Sequence, residues 1–196
     1  MKILAPINSI LDIEPVIKAG ATELFCGIIP NTWSNKYGST VSPNRREWAS
    51  ANITTYEQLN DIVEFTHQRN AQVFLTLNAL YIDEQKDLLD EIIKQAVKCK
   101  VDAFIVADIG LIYQLKSMNL KQEIHISTGG TTFNSHTAKF YENLDVQALV
   151  QLNFPNLLVS THRDVVAAIN YLYFLEIKFR HVQKYYYLYF LSFFHQ

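Results

Sequence analysis

The sequence predicts a parallel α/β protein of TIM-barrel-like form, incomplete at about six of eight units and ending in an aromatic-rich C-terminal tail. Three observations predict it. Short apolar runs alternate with amphipathic stretches along most of the chain, the pattern of a parallel sheet covered by helices. Four joints between a helix and the following strand share one grammar. No glycine-rich dinucleotide fingerprint follows the first strand. That favours a barrel over an open doubly wound sheet, the other fold such an alternation allows.

Lys2–Ile7 reads as the first strand and Ile10–Lys18 has helical spacing. Glu23–Ile29 is the second strand. Tyr56–Arg69 is amphipathic, with Leu59, Ile62, Val63 and Thr66 on one face. Gln72–Asn78 is the third strand, followed by the helix Asp83–Lys98 with Leu88, Leu89, Ile92, Ile93 and Val97 along one stripe. Ala103–Asp108, Glu123–Thr128 and Ala148–Asn153 complete six strands, separated by helices at Ile109–Met118 and Ser135–Asn143. The joints begin at Gly20, Asn70, Lys100 and Asp145, and Gly20 and Asn70 suit the left-handed residue that ends a helix.

A full barrel needs eight units and about 250 residues. The expected organisation is therefore a partial barrel over 1–154 and an atypical segment over 155–196. No glycine occurs after Gly130, and Tyr171–Gln196 holds 11 of the 25 aromatic residues. The longest uncharged run there, Tyr185–Phe194, is ten residues, too short to span a bilayer. A truncated or frame-shifted end is the favoured reading of this tail; an interfacial helix or a buried aromatic strand are the others.

Apolar residues make up 49% of the chain, enough for a sizeable core, and the net charge of −2 offers no general attraction for nucleic acid. A local basic patch is compatible with that total. Two cysteines, Cys26 and Cys99, are too few for a disulfide framework or a structural zinc site. They stand at opposite ends of the predicted barrel, one ending a strand and one ending a helix, so no metal site is expected in this chain. The N-terminus carries no signal-peptide pattern, and a cytoplasmic protein is expected.

In such a barrel the active site lies at the C-terminal ends of the strands. Asn78 and Asp108 end otherwise apolar strands there, and His125 sits two residues before Ser127 on one face of the fifth strand. Asn78, Asp108 and His125 are the catalytic candidates, expected to face one cavity. Asp108 also stands where a helix cap would stand. His125 and Ser127 are about 7 Å apart along a strand, too far for direct nucleophile activation, so His125 reads better as lining a ligand pocket or as hydrogen-bonded inside the barrel. Ser127 and Thr128 lead into Gly129-Gly130, whose amides suit an anion or simply a tight turn. The stretch Pro30–Thr54 is the longest irregular one, the usual form of a lid or binding loop. Within it, Asn44, Arg45 and Arg46 are candidate substrate ligands, as are Ser127 and Thr128 at the end of the fifth strand, with Arg45 or Arg46 reaching the barrel mouth. Trp33, Tyr37 and Trp48 either stack on a ligand or pack the loop. Cys26 is read as structural, because nothing near it in sequence activates a thiol.

Several segments together carry a resemblance: Leu4–Ser9, Ala19–Gly27, Asn44–Glu47, Phe74–Ala79, Val101–Gly110 and Ile124–Thr128. In this order and spacing they resemble the N-terminal part of the collagenase-like peptidases, peptidase family U thirty-two, over roughly Lys2–Asn153. The resemblance implies a barrel and a peptidase label of unknown catalytic type. It also implies relatives that act in oxygen-independent hydroxylation of RNA bases or quinone precursors, using an iron–sulfur cluster held by cysteines in the C-terminal half. No cysteine follows Cys99 here, so no cofactor is expected in this chain, and the activity expected of it alone is none. The alternative to an enzyme is a catalytically incomplete fragment or a binding subunit. The substrate stays open among small molecule, peptide and RNA. A six-stranded sheet with two open edges points to a homo- or hetero-oligomer.

Overall fold

The alternation of strand and helix seen in the sequence folds as a curled parallel sheet with helices on its outer face. In the computed structural model the described residues are 2–38, 41–46, 49–132, 134–152 and 186–188. The strands are β1 (Lys2–Pro6), β2 (Glu23–Ile28), β3 (Asn52–Ile53), β4 (Gln72–Leu77), β5 (Ala103–Val106), β6 (Glu123–Ile126), β7 (Ala148–Leu152) and β8 (Tyr186–Leu188). The helices are α1 (Ile13–Lys18), α2 (Asn31–Tyr37), α3 (Tyr56–His67), α4 (Lys86–Lys98), α5 (Ile109–Ser117) and α6 (Ser135–Asn143).

All strand pairs are parallel, in the order β1–β2–β4–β5–β6–β7–β8, and β8 pairs back to β1. The two-residue β3 adds to the outer end of β2. The result is an incomplete TIM-barrel-like sheet. Six strands alone would leave open edges at the first and the sixth; the structure pairs both β1 and β7 with Tyr186–Leu188. The rest of the aromatic tail, and with it most of the segment 155–196, lies outside the described residues.

Period-two alternation divides the strand side chains between two cores. Leu24, Cys26, Val73, Leu75, Phe104, Val106 and Ile126 pack outward against the apolar stripes of the helices. Leu4, Phe74, Ala103, Ile105 and Val150 fill the interior.

The four joints are one motif repeated. Gly20, Asn70, Lys100 and Asp145 all take positive φ, at 101°, 58°, 62° and 53°. Each following residue donates its backbone N–H five positions back: Ala21 to Val16, Ala71 to Thr66, Val101 to Ala96 and Val146 to Tyr141. The shared bonds explain why Lys100 and Asp145 accept a conformation better suited to glycine.

The stretch Pro30–Thr54 is more regular than expected. Pro30 leads into α2, whose Trp33 is fully buried and donates Nε1–H to the Val41 carbonyl at 2.9 Å. Tyr37 donates its hydroxyl to the Glu84 carbonyl at 2.6 Å. A seven-residue helix with one buried side chain has too little periodicity to be read in sequence. Trp33 and Tyr37 pack the loop to the barrel; Trp48 lies outside the described residues.

Candidate functional site

Apolar strands ending in polar residues create a cavity of about 370 Å³ at the C-terminal ends of the sheet. Its floor is Phe25 of β2, Ile105 of β5 and Val150 of β7. Its walls are Thr76 and Asn78 at the end of β4, Ser127, Thr128 and Gly129 after β6, and Arg45 and Arg46 from the loop.

The arginines are held by a clasp of two asparagines. Asn44 donates Nδ2–H to Asn52 Oδ1 at 2.8 Å, and Asn52 donates Nδ2–H to the Arg46 carbonyl at 2.8 Å. Arg46 N–H donates to Asn44 Oδ1 at 2.9 Å. Both asparagines are buried, and they pack directly over Gly27: a Cβ there would overlap Asn52 Oδ1 and Asn44 Nδ2. Asn44, a candidate substrate ligand, does not line the cavity; it holds the backbone of Arg46, which does.

Arg46 is largely buried. Its Nη1 donates to the Phe25 carbonyl at 3.3 Å and its guanidinium carbon lies 5.2 Å above the Phe25 ring centroid. Burial pulls its pKa below the usual arginine value, while Cys26 and Asp12 oppose the shift; a guanidinium starts so high that it stays cationic. Arg45 is exposed, with its backbone N–H donating to Asn78 Oδ1 at 2.9 Å. Its guanidinium rests against Gly129, where an added Cβ would lie 3.0 Å from Nη1. Asn78 in turn donates Nδ2–H to Ser127 Oγ at 3.0 Å, and Gly129 N–H donates to the same oxygen at 3.3 Å. The Thr76 hydroxyl is already committed to the Cys26 carbonyl at 3.0 Å.

Asn78, Asp108 and His125 do not share this cavity. Only Asn78 lines it. Asp108 caps α5, accepting from Leu111 N–H at 2.9 Å, and its other oxygen accepts from Tyr81 N–H at 3.3 Å. It faces a separate cleft of about 470 Å³ between α4 and α5, lined also by Tyr81, Lys86 and Tyr113. Burial, then the Asp108 charge, raise the Tyr81 phenol well above its usual pKa. His125 points into the interior one pleat below Ser127. It is fully buried, with Nε2 2.9 Å from Glu123 Oε2 and its ring edge-on to Phe74 at 4.7 Å. The strand rise separates it from the cavity and from any partnership with Ser127.

Asp108→Ala is accordingly expected to cost about 1 kcal/mol of stability through the lost cap, measured by urea denaturation, and to leave binding in the Arg45–Arg46 cavity unchanged.

The cysteines do not fit an iron–sulfur cluster. Cys26 is buried in the layer between sheet and helices, where burial pushes its thiol up to about 12. Cys99 ends α4 at the opposite end of the sheet and donates Sγ–H to the Tyr56 carbonyl at 3.5 Å. Neither lines the cavity, and thiolates so placed cannot share one cluster. Among the described residues no three His, Cys, Asp or Glu side chains gather as metal ligands, and no helix is long and apolar enough to cross a membrane.

Phe25, Gly27 and Asn52 escape the sequence reading as site residues, whereas the Gly129 amide is read there as an anion donor or a tight turn. Gly27 alone left a usable signal, since a glycine inside a strand marks a close approach.

Comparison with known proteins gives the family context. The family model described as Peptidase family U32 matches residues 9–151. An uncharacterized protease of Methanocaldococcus jannaschii is 28% identical over 72% of this chain and 31% of its own length. A collagenase of Porphyromonas gingivalis is 28% identical over 84% of this chain and 36% of its own. A tRNA hydroxylation protein P of Helicobacter pylori is 23% identical over 76% of this chain and 32% of its own. The chain thus spans about a third of the length of these relatives. A solved U32 peptidase structure superimposes with a TM-score of 0.55 at 15% identity, over 87% of this chain and 64% of that one. At that identity the likeness shows the fold alone.

Proposed function

The chain belongs to peptidase family U32, and on that premise we propose that it forms the substrate-binding mouth of a family enzyme, receiving an RNA group through Arg45, Arg46, Asn78 and Ser127. The observation that carries this reading is the chemistry of the cavity wall. Two guanidiniums, an amide and a hydroxyl converge beside the Phe25 ring. Guanidinium planes and aromatic faces stack bases, and guanidiniums pair with phosphates.

Peptide hydrolysis through a serine or cysteine nucleophile asks for a base beside it. Among the described lining residues Ser127 has no such base: His125 is engaged with Glu123 one pleat below. Cys26 lies outside the cavity with a raised thiol. On this reading the described residues bind and orient, and the reacting group comes from outside them. Relatives named as tRNA hydroxylation proteins support an RNA substrate. A peptide is the second reading, favoured by the relatives named protease and collagenase.

Fluorescence anisotropy with a labelled transfer RNA and a labelled collagen-derived peptide separates the two. The RNA is expected to bind, with affinity falling as salt rises, and Arg45→Ala is expected to weaken it about fivefold. Saturable peptide binding with no RNA binding overturns the proposal.

A further inference from the structure

Hydrogen-bond direction in the cavity wall is fixed by its two backbone donors. A backbone N–H can only donate. Arg45 N–H therefore makes Asn78 Oδ1 the acceptor and turns the amide nitrogen toward Ser127. Gly129 N–H donates to the same Ser127 oxygen. Both acceptor positions of that hydroxyl are thus used, by donors whose polarity cannot reverse. The Ser127 O–H has one role left, which is to donate into the cavity it lines.

We infer that Ser127 is a specificity-determining donor and Asn78 its positioning residue, so that the site takes an anion offering only acceptors at this point, as the phosphodiester of an RNA backbone does. The inference rests on the RNA-binding reading and narrows it. A phosphodiester carries no P–OH and satisfies Ser127, Arg45 and Arg46 together. A protonated phosphate or phosphonate oriented with its O–H at Ser127 would set donor against donor. The second Nδ2 hydrogen of Asn78 and the guanidiniums add further donors, and the Thr76 hydroxyl, spent on a backbone carbonyl, offers its proton elsewhere.

Two small anions of the same shape and charge test this. In mildly acidic buffer methanesulfonate and hydrogen methylphosphonate are both monoanions and differ by one O–H. Their binding to the full chain is followed by NMR titration of the backbone amides, with thermal midpoints as the folding control. Wild-type protein is expected to prefer methanesulfonate. Asn78→Asp keeps the acceptor for Arg45 N–H but takes the Ser127 proton, so that the serine oxygen presents a lone pair to the cavity. The preference is then expected to shift by about tenfold toward methylphosphonate. Adding Ser127→Ala to Asn78→Asp should abolish that shift, which general charge repulsion would not. Arg45→Ala should weaken both anions alike and leave their ratio unchanged.

An unchanged ratio in Asn78→Asp, a shift that survives Ser127→Ala, or no saturable binding of either anion to wild-type protein overturns the inference. Failure of transfer RNA to bind, with the ratio shift intact, removes the RNA reading and leaves the donor assignment standing. RNA binding without the ratio shift does the reverse.

Discussion

Gly27→Ala is expected to lower the thermal midpoint by about 6 °C and to weaken anion and RNA binding in the same variant. The added methyl has nowhere to go, because both Asn44 and Asn52 side chains occupy its place. Overpacking at such a site costs about 2 kcal/mol, which in a domain of this size corresponds to that midpoint shift. The binding loss has a separate cause. The asparagines hold the Arg46 backbone at both its N–H and its carbonyl, so displacing them moves the guanidinium off the Phe25 ring. Asn52→Ser in the Gly27→Ala background should recover part of the midpoint without recovering binding, since it makes room while leaving the clasp broken. Differential scanning calorimetry and an anion titration on the same samples measure both. An unchanged midpoint would mean that the clasp is looser than its hydrogen bonds indicate.

Arg46→Ala is expected to weaken binding about a hundredfold, more than Arg45→Ala. Hydrogen bonds to charged groups contribute about 1.5–3 kcal/mol each, and Arg46 is the partly desolvated member of the pair, with its geometry fixed by the Phe25 carbonyl and ring. Arg45 is exposed, and solvent screens it. Arg46→Lys should recover only part of the loss. An ammonium keeps the charge but has neither the planar fork nor the same stacking on Phe25. Equal effects of Arg45→Ala and Arg46→Ala in isothermal titration would show that only net charge matters at this mouth.

The alternation of strand and helix was legible because each element buries a face of its own. Gln72–Asn78 was expected and Gln72–Leu77 observed, and the joints at Gly20 and Asn70 were readable from residue type. Helix α2 and strand β3 were not, because Trp33 and the asparagine clasp are tertiary features without local periodicity. In the site, Arg45, Arg46, Asn78, Ser127 and Thr128 come together at the strand ends, where polar residues interrupt apolar runs. Asp108 takes the cap alternative of its two readings, because the last residue after a strand is also the first cap of the next helix. Of the two readings of His125, a pocket wall or a histidine hydrogen-bonded inside the barrel, the structure has the second: alternation tells which face a side chain takes and not how deep it lies, and one pleat puts it in the interior beside Phe74. The clasp of Asn44 was not legible because its partner Asn52, eight residues on at the start of β3, stands in no regular spacing to it. Phe25 was invisible, since an inward phenylalanine in an apolar strand reads as core.

Amide chemical-shift mapping with a short oligoribonucleotide tests the central claim most directly. The lining residues come from four strands and two loops, and a competing cleft between α4 and α5 supplies a built-in contrast. The predicted result is a cluster of shifts at Arg45, Arg46, Asn78, Ser127, Thr128 and Gly129, reversed by added methanesulfonate. Shifts confined to Tyr81, Asp108, Gly110 and Tyr113, or shifts that methanesulfonate leaves in place, would contradict it.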